Sequence, residues 1–462
     1  DLVGRQRVGW RPGAGMSTPA QKGSVKDSAA PTWFGHPRGL TVLFLTNMWE
    51  QFSYYGMRAL LVYFMTKQLL LSQGQASFIY GIYTACAYFT PIIGGMLADR
   101  YLGKRRAIII GASVMAFGHF MMAFEPLFYL ALATIALGNG LFLPSLPSQV
   151  GDLYRRDDPR RGWAYNVYYV GINIGGFLAP LACGTIGEVY GWHYGFGLAG
   201  IGMLAGLLIY LAGQRHLPPE PARPLPAVAQ QTSATAGFDR LTVLVLIGIG
   251  LAVTVFRSAY EQVGNTVALW ADTGIDRQAG DFLIPMTWFQ SLNPLFVMLM
   301  TPPLLAYWRR RADAGHDQPP ALRMALGALI LSGAYLMLAA VVWHGDGQLT
   351  AWAWLALFFL LFTFAEVFIL PTGLGLFARL APPGLGTTTV GAWFLIIFSG
   401  SLAAGLVGTL WSRLDHAVFF VLLAALAAVS AVMLWLLNGL TEKIDKNRKK
   451  TDKDIQKFSN QD

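Results

Sequence analysis

Five ionisable residues, Glu50, Arg58, Arg257, Glu261 and Glu366, lie deep inside long apolar runs of this chain. A single charge at the centre of a bilayer costs about 2.5–3.5 kcal/mol on insertion scales. Groups in such places must face one another or water. Arg257 and Glu261 are four residues apart, project from one helix face and can pair internally. Alternatively, Arg58 reaches Glu261 from the other part of the chain, and the bond exists only while two bodies are closed on one side. Such a bond is a gate. A carboxylate that exchanges a guanidinium partner for dry surroundings changes its hold on a proton, so a proton can act as its key. Glu366 precedes Pro371, Gly373 and Gly375, which predicts a helix that bends or opens just beyond the carboxylate, with freed carbonyls lining a cavity. The alternative is a merely kinked span in which Glu366 bonds a neighbour.

The elements that must hold these groups follow from composition. Of 462 residues, 54% are hydrophobic and 13% charged, and mean hydropathy is +0.46. Soluble domains carry roughly 25% charged residues, so the bilayer is the main solvent here. Taking an apolar run of about 20 residues as one crossing, spans fall near 40–66, 76–98, 107–124, 127–150, 162–185 and 193–213, then near 241–270, 283–308, 321–343, 350–378, 388–411 and 415–438. The expected fold is all-α and integral to the membrane, with twelve transmembrane helices in two six-helix bundles. The predicted parts are an N-terminal tail (1–38), a first bundle (39–213), a Pro- and Ala-rich linker (214–240), a second bundle (241–438) and a basic tail (439–462). Residues before Met16 read as sequence added ahead of a natural start. Two six-helix halves joined by a linker are the arrangement of transporters that bind substrate at midplane between bundles.

The formal net charge of +9 is misleading, because the tails supply most of it. Residues 1–38 hold 6 Lys/Arg against 2 acids, and 440–462 hold 7 against 5. The body is nearly balanced, which excludes a nucleic-acid partner and leaves the lipid bilayer as the surface the tails meet. Alternate loops carry 16 Lys/Arg on one side and 3 on the other, placing both termini in the cytoplasm of a multi-pass inner (plasma) membrane protein. Residues 1–38 contain no apolar segment of the length a cleavable signal needs.

No phosphate-binding G-x-x-x-x-G-K-[ST] occurs, and no His/Cys cluster has zinc spacing. No metal or other cofactor is expected; if the Arg58–Glu261 gate is keyed by a proton, the proton is the coupling ion. Gly195, Gly197, Gly200, Gly202 and Gly206 read as close helix packing. Cys86 and Cys183 read as small buried hydrophobes. His119 reads as a neutral imidazole hydrogen-bonded between helices, with a proton carrier as the alternative.

Residues 47–58, NMWEQFSYYGMR, resemble the first-helix signature E-x-x-E-R-F-x-Y-Y-G of the proton-coupled oligopeptide transporter (POT/PTR) family of the major facilitator superfamily. GGMLADRYLGKRR at 94–106 is similar to the 2–3 loop motif of that superfamily. GNGLFLPSLPSQVGDLY at 138–154, YYVGINIGG at 168–176, AYEQVGN at 259–265, WFQSLNP at 288–294, AEVFILPTGLGLFARLAP at 365–382 and VGAWFL at 390–395 follow in the family's order. The linker leaves no room for the extra helix pair that many bacterial members carry between halves. There are departures: the signature's first Glu is Asn47, its Arg is Gln51, and a Lys common on the fourth helix is Leu143. The resemblance implies that this protein lacks the charge cluster by which relatives couple protons and hold the peptide carboxylate.

By the same resemblance, the protein is a proton-coupled symporter importing di- and tripeptides by alternating access, and not an enzyme. Glu261, Arg58, Arg257 and Glu50 are the expected coupling and gating residues. A peptide zwitterion needs opposite charges on opposite walls: Arg58 with the Tyr54 and Tyr55 hydroxyls on one, Glu366 with Asn293 on the other. Asn173, Trp393 and Tyr88 are further contacts the resemblance implies. The lost cations keep open a facilitator or symporter for another small organic solute. A membrane enzyme finds no nucleophile, metal or paired-carboxylate constellation.

Overall fold

A computed structural model describes residues 35–155, 158–220, 240–316, 318–345, 347–380 and 386–459. Its first half contains α1 (Arg38–Tyr63), α2 (Gln73–Leu97), α3 (Lys104–Met121), α4 (Phe128–Asp152), α5 (Arg160–Ala179), α6 (Thr185–Tyr190) and α7 (Trp192–Gly213). Single π-helical turns extend α1 over Phe64–Gln68 and join α5 to α6 over Pro180–Gly184. The second half contains α8 (Arg240–Tyr260), α9 (Thr266–Thr273), α10 (Leu292–Asp313), α11 (Pro320–Gly345), α12 (Trp352–Leu380), α13 (Gly386–Gly408) and α14 (His416–Ser459). Extended structure among the described residues is confined to two-residue pairings: Ile275–Asp276 parallel to Thr350–Ala351, and Gln278–Ala279 antiparallel to Phe282–Leu283.

Local chemistry accounts for several boundaries. Ser72 and Gln75 form a reciprocal capping box that starts α2. Gly103, at φ +77°, supplies the left-handed turn from which α3 departs. On α3, Lys104 reaches Asp152 at the end of α4 at 2.7 Å, and Arg105 donates to the Pro218 carbonyl. Lys104 and Arg105 thus join helix ends within the segment that resembles the superfamily motif.

Within the first half, α1 packs on α5 and α7, and α3 on α4 and α7. Within the second, α8 packs on α13 and α14, and α11 on α12 and α14. The halves meet along α2 with α13 and α5 with α10. Among the described residues, 9 helices are long and apolar enough to cross a membrane. The helices near α1, α3 and α10 fall below that apolarity. α1 is the helix that carries Glu50 and Arg58, α3 opens on three basic residues and α10 closes on three arginines. The polarity that weakens the membrane signal of α1 is the polarity that equips the site.

Two expectations about helix continuity, the opening beyond Glu366 and the single span over 241–270, need correction. α12 runs unbroken from Trp352 to Leu380 with Pro371 inside it, so no backbone opens beyond Glu366; the alternative reading, Glu366 bonded to a neighbour, is the one realised. The interruption is at Glu261 instead. There α8 gives way to a 3-10 turn, Glu261–Gly264, and Asn265 (φ −117°, ψ −98°) breaks the rod before α9. The segment expected as a basic tail from 439 continues α14 as helix to Ser459. Of the expected linker, 214–220 are described and 221–239 lie outside the described residues, as does the expectation about an extra helix pair there. The N-terminal tail is likewise outside them up to residue 34.

Candidate functional site

α1 and the broken α8–α9 rod bring three charges together. Arg58 Nη2 donates to Glu261 Oε2 at 2.6 Å, and Arg257 Nη2 donates to Glu261 Oε1. The two pairings expected as alternatives are both made, and one carboxylate serves two guanidiniums. Glu261 is 1% exposed, Arg257 3% and Arg58 11%. Aromatic groups frame them. Arg58 Nε donates to the Tyr80 hydroxyl at 2.6 Å. The Arg257 guanidinium lies 5.2 Å from the ring centres of both Tyr88, on α2, and Tyr260, on its own helix, and also reaches Ser401 Oγ at 3.3 Å.

The helix break explains why Glu261 can serve both. Arg257 reaches it along the helix as an i,i+4 neighbour, while Gly264, beyond the carboxylate, admits Tyr80 and Arg58: a Cβ there would lie 2.1 Å from the Tyr80 hydroxyl and 3.3 Å from Arg58 Nε. Only glycine permits that approach.

The same end of the molecule, opposite the start of α1, is closed by further contacts between halves. Lys67 meets Asp272 at 2.7 Å, and the Tyr63 hydroxyl donates to the Ala268 carbonyl. Glu188, on α6, accepts from the Met286 and Thr287 backbone N–H groups at 3.1 and 3.0 Å and from the Thr287 hydroxyl at 2.6 Å. α2 and α13 touch backbone to backbone where Gly81 meets Gly405.

Deeper between the halves, Asn293 Nδ2 donates to Glu366 Oε2 at 2.6 Å and contacts Thr363 Oγ1 at 3.1 Å. Tyr260 lies beside Glu366. Tyr54 and Tyr55 pack edge to face, 5.4 Å between ring centres. Tyr54, Tyr55, Arg58, Tyr88, Asn293 and Glu366 are all half-buried, as groups lining a cleft are.

Comparison with known proteins decides the family. The POT family model matches residues 105–238 and 227–425. The chain belongs to the POT family. It is 31% identical to an uncharacterised transporter, YclF, of Bacillus subtilis, over 91% of this chain and 97% of that protein. It is 32% identical to the peptide transporter YePEPT of Yersinia enterocolitica, over 83% and 90%. A crystal structure of a peptide transporter POT in complex with sulfate superposes with TM-score 0.83 at 28% identity, covering 90% of this chain and 97% of that one. A likeness to the VSTM5 C-terminal domain covers only the last helix, 416–459. Members of the POT family are transporters, and this one is a multi-pass membrane protein.

Not every expected residue joins the cluster of this POT member. Glu50 is buried inside the first half, and its hydrogen bond comes from the neighbouring Gln51 amide at 2.7 Å. No described cation is within ion-pair distance of it. Asn173 is buried and bonds back to the Tyr169 carbonyl of its own helix. Trp393 is buried against Phe377 and Gly373. Cys183 packs against Gly56 as a small hydrophobe. The hydrogen-bonded imidazole expected at His119 is not found: the ring is fully buried and both nitrogens lack partners.

Sequence reasoning missed Tyr80, Tyr260, Ser401, Thr363, Glu188 and Asp272. Single uncharged polar residues in apolar runs give no signal by themselves. Glu188 and Asp272 sit near span ends, where a solvated carboxylate is the ordinary expectation.

Proposed function

We propose that this POT member is a proton-coupled symporter that imports di- and tripeptides by alternating access. The observation that carries the reading is the Arg58–Glu261 bond between halves, made in a buried setting at one closed end. Support for peptides comes from the relative named as a peptide transporter and from Glu366, whose half-buried carboxylate, steadied by Asn293, suits an α-amine. On this reading twelve helices cross the inner membrane, both termini are cytoplasmic, and the closed end faces outside. The absence of basic residues at 51 and 143 makes the pocket atypical. Glu261 takes a proton arriving from outside and releases the guanidiniums, the halves rock, and peptide leaves inward before the proton does. Coupling rests on differential stability: the ion pair favours the outward-closed state, and protonation removes that preference.

The test is uptake of labelled alanylalanine into proteoliposomes, with and without an inward proton gradient at fixed voltage. Accumulation that depends on the gradient supports symport. Uptake indifferent to the gradient overturns the coupling, and no uptake of peptide overturns the substrate class.

A further inference from the structure

We infer that Arg257, on the second half, is the residue that receives the substrate's carboxylate. This deepens the peptide reading and rests on it. The resemblance assigns carboxylate binding to first-half cations, but Gln51 and Leu143 stand in those places. Arg58 is already held at two of its nitrogens, Nη2 on Glu261 and Nε on Tyr80.

The way the arginines are paired leaves room for a second bound anion. Arg58 and Arg257 share the single carboxylate of Glu261, so neither guanidinium has a bound anion to itself. The other groups framing the arginines, Tyr80, Tyr88, Tyr260 and Ser401, are neutral. Glu366, held by Asn293, acts on both arginines through space without an ion-pair contact to either. A buried cation whose one contacting carboxylate is shared, and can be protonated, gains most from a second anion in a low-dielectric site.

Geometry selects Arg257 over Arg58. Its Nε is buried and has no hydrogen-bond partner, so the guanidinium has a donor to spare. It lies between Tyr88 of the first half and Tyr260 of the second. Separation of the halves therefore lifts one aromatic cover and leaves the other as a floor. Tyr260 also lies beside Glu366. The cation for a carboxylate and the anion for an amine thus flank one tyrosine, and a peptide's two termini bind the same half. Protonation of Glu261 leaves both guanidiniums without an anion at once, which ties entry of the carboxylate to entry of the proton.

The experiment compares alanylalanine with its C-terminal amide by calorimetric titration of the purified full chain at one pH. Wild type is expected to bind the acid about tenfold to a hundredfold more tightly, the worth of a charge-assisted hydrogen bond. In Arg257→Gln the acid should weaken to the level of the amide, while discrimination against N-acetylated peptide stays intact. A merely structural role for Arg257 would weaken all three compounds together. Arg257→Lys keeps the charge and loses the fork; its acid affinity should fall several-fold with the amide unchanged, and unchanged acid affinity overturns the assignment even if the Gln variant does not fold. Wild type that binds neither compound overturns the peptide reading and this inference with it. Wild type that binds both alike, or Arg257→Gln that keeps the preference, overturns the assignment of Arg257 alone.

Discussion

Arg58 and Glu261 stand 203 positions apart in sequence and 2.6 Å apart in space. They belong to different halves of the chain, so their bond measures whether those halves are together. Because Arg257 holds the second oxygen of the same carboxylate, the pair is one arm of a triad. Removing different members of such a triad has unequal consequences.

Glu261→Gln leaves two buried guanidiniums without an anion, whereas Arg58→Gln leaves Glu261 still paired with Arg257. Breaking a buried ion pair by deleting one partner costs about 3–5 kcal/mol. Thermal unfolding in detergent should therefore show a distinctly larger loss for Glu261→Gln than for Arg58→Gln. Equal losses would mean that the second guanidinium is neutralised by something other than Glu261.

The same Glu261→Gln protein carries a functional signature. Exchange of labelled peptide across proteoliposomes should persist, because rocking does not require a proton to be taken up, but accumulation driven by a proton gradient should vanish. Full gradient-driven uptake in that variant would remove Glu261 from coupling.

At the floor of the cleft, Glu366→Gln keeps the shape and the hydrogen bond to Asn293 but deletes the negative charge. A charge-assisted bond to an amine is worth about 1.5–3 kcal/mol, so peptide affinity should fall about tenfold or more. An unchanged dissociation constant for alanylalanine would exclude amine binding at this carboxylate.

What was legible before the structure, and what was not, follows from how each signal arises. Charges inside apolar runs are conspicuous because they are costly there, and that cost exposed Arg58, Arg257, Glu261 and Glu366. Their partners Tyr80, Tyr260 and Ser401 are uncharged, and nothing in one dimension distinguishes a tyrosine that holds an arginine from one that packs. Pro371 and its neighbouring glycines suggested an opened helix, yet α12 absorbs the proline within a continuous rod. The real break, at Asn265, follows no proline. Its context is tertiary: Tyr80 and Arg58 crowd the backbone of Gly264, and a sequence window cannot see them. Glu50 shows the converse, since its cost was visible but the remedy, a bond to its neighbour Gln51, was not.

Glu188 makes a second closure between halves by accepting three hydrogen bonds at Met286 and Thr287. Glu188→Gln removes its charge and forces one amide N–H toward donors, weakening the latch without touching the Arg58–Glu261 triad. Thiol-reactive probes should then reach a cysteine placed at Thr287 faster in the variant than in the parent cysteine protein. Equal labelling rates would show that Glu188 does not help hold that end shut.

One close approach between halves involves no charge at all. A Cβ on Gly405 would sit 2.8 Å from the Gly81 Cα, closer than real Cβ contacts allow, and the obstacle is backbone rather than a side chain that could swing aside. Small residues at such a crossing let two helices meet. Gly405→Ala should therefore leave each half folded, because the strain is confined to the surface between them, and should prop open the end that carries Leu70 and Leu349. Both of these residues are well exposed, at 80% and 61%, and suit spin labels introduced as Leu70→Cys and Leu349→Cys after replacement of Cys86 and Cys183. Pulsed dipolar distances between the labels should lengthen in the Gly405→Ala background, with slower transport and undiminished peptide binding. A distance distribution identical to that of the glycine protein would mean that the backbone contact between α2 and α13 does not limit closure.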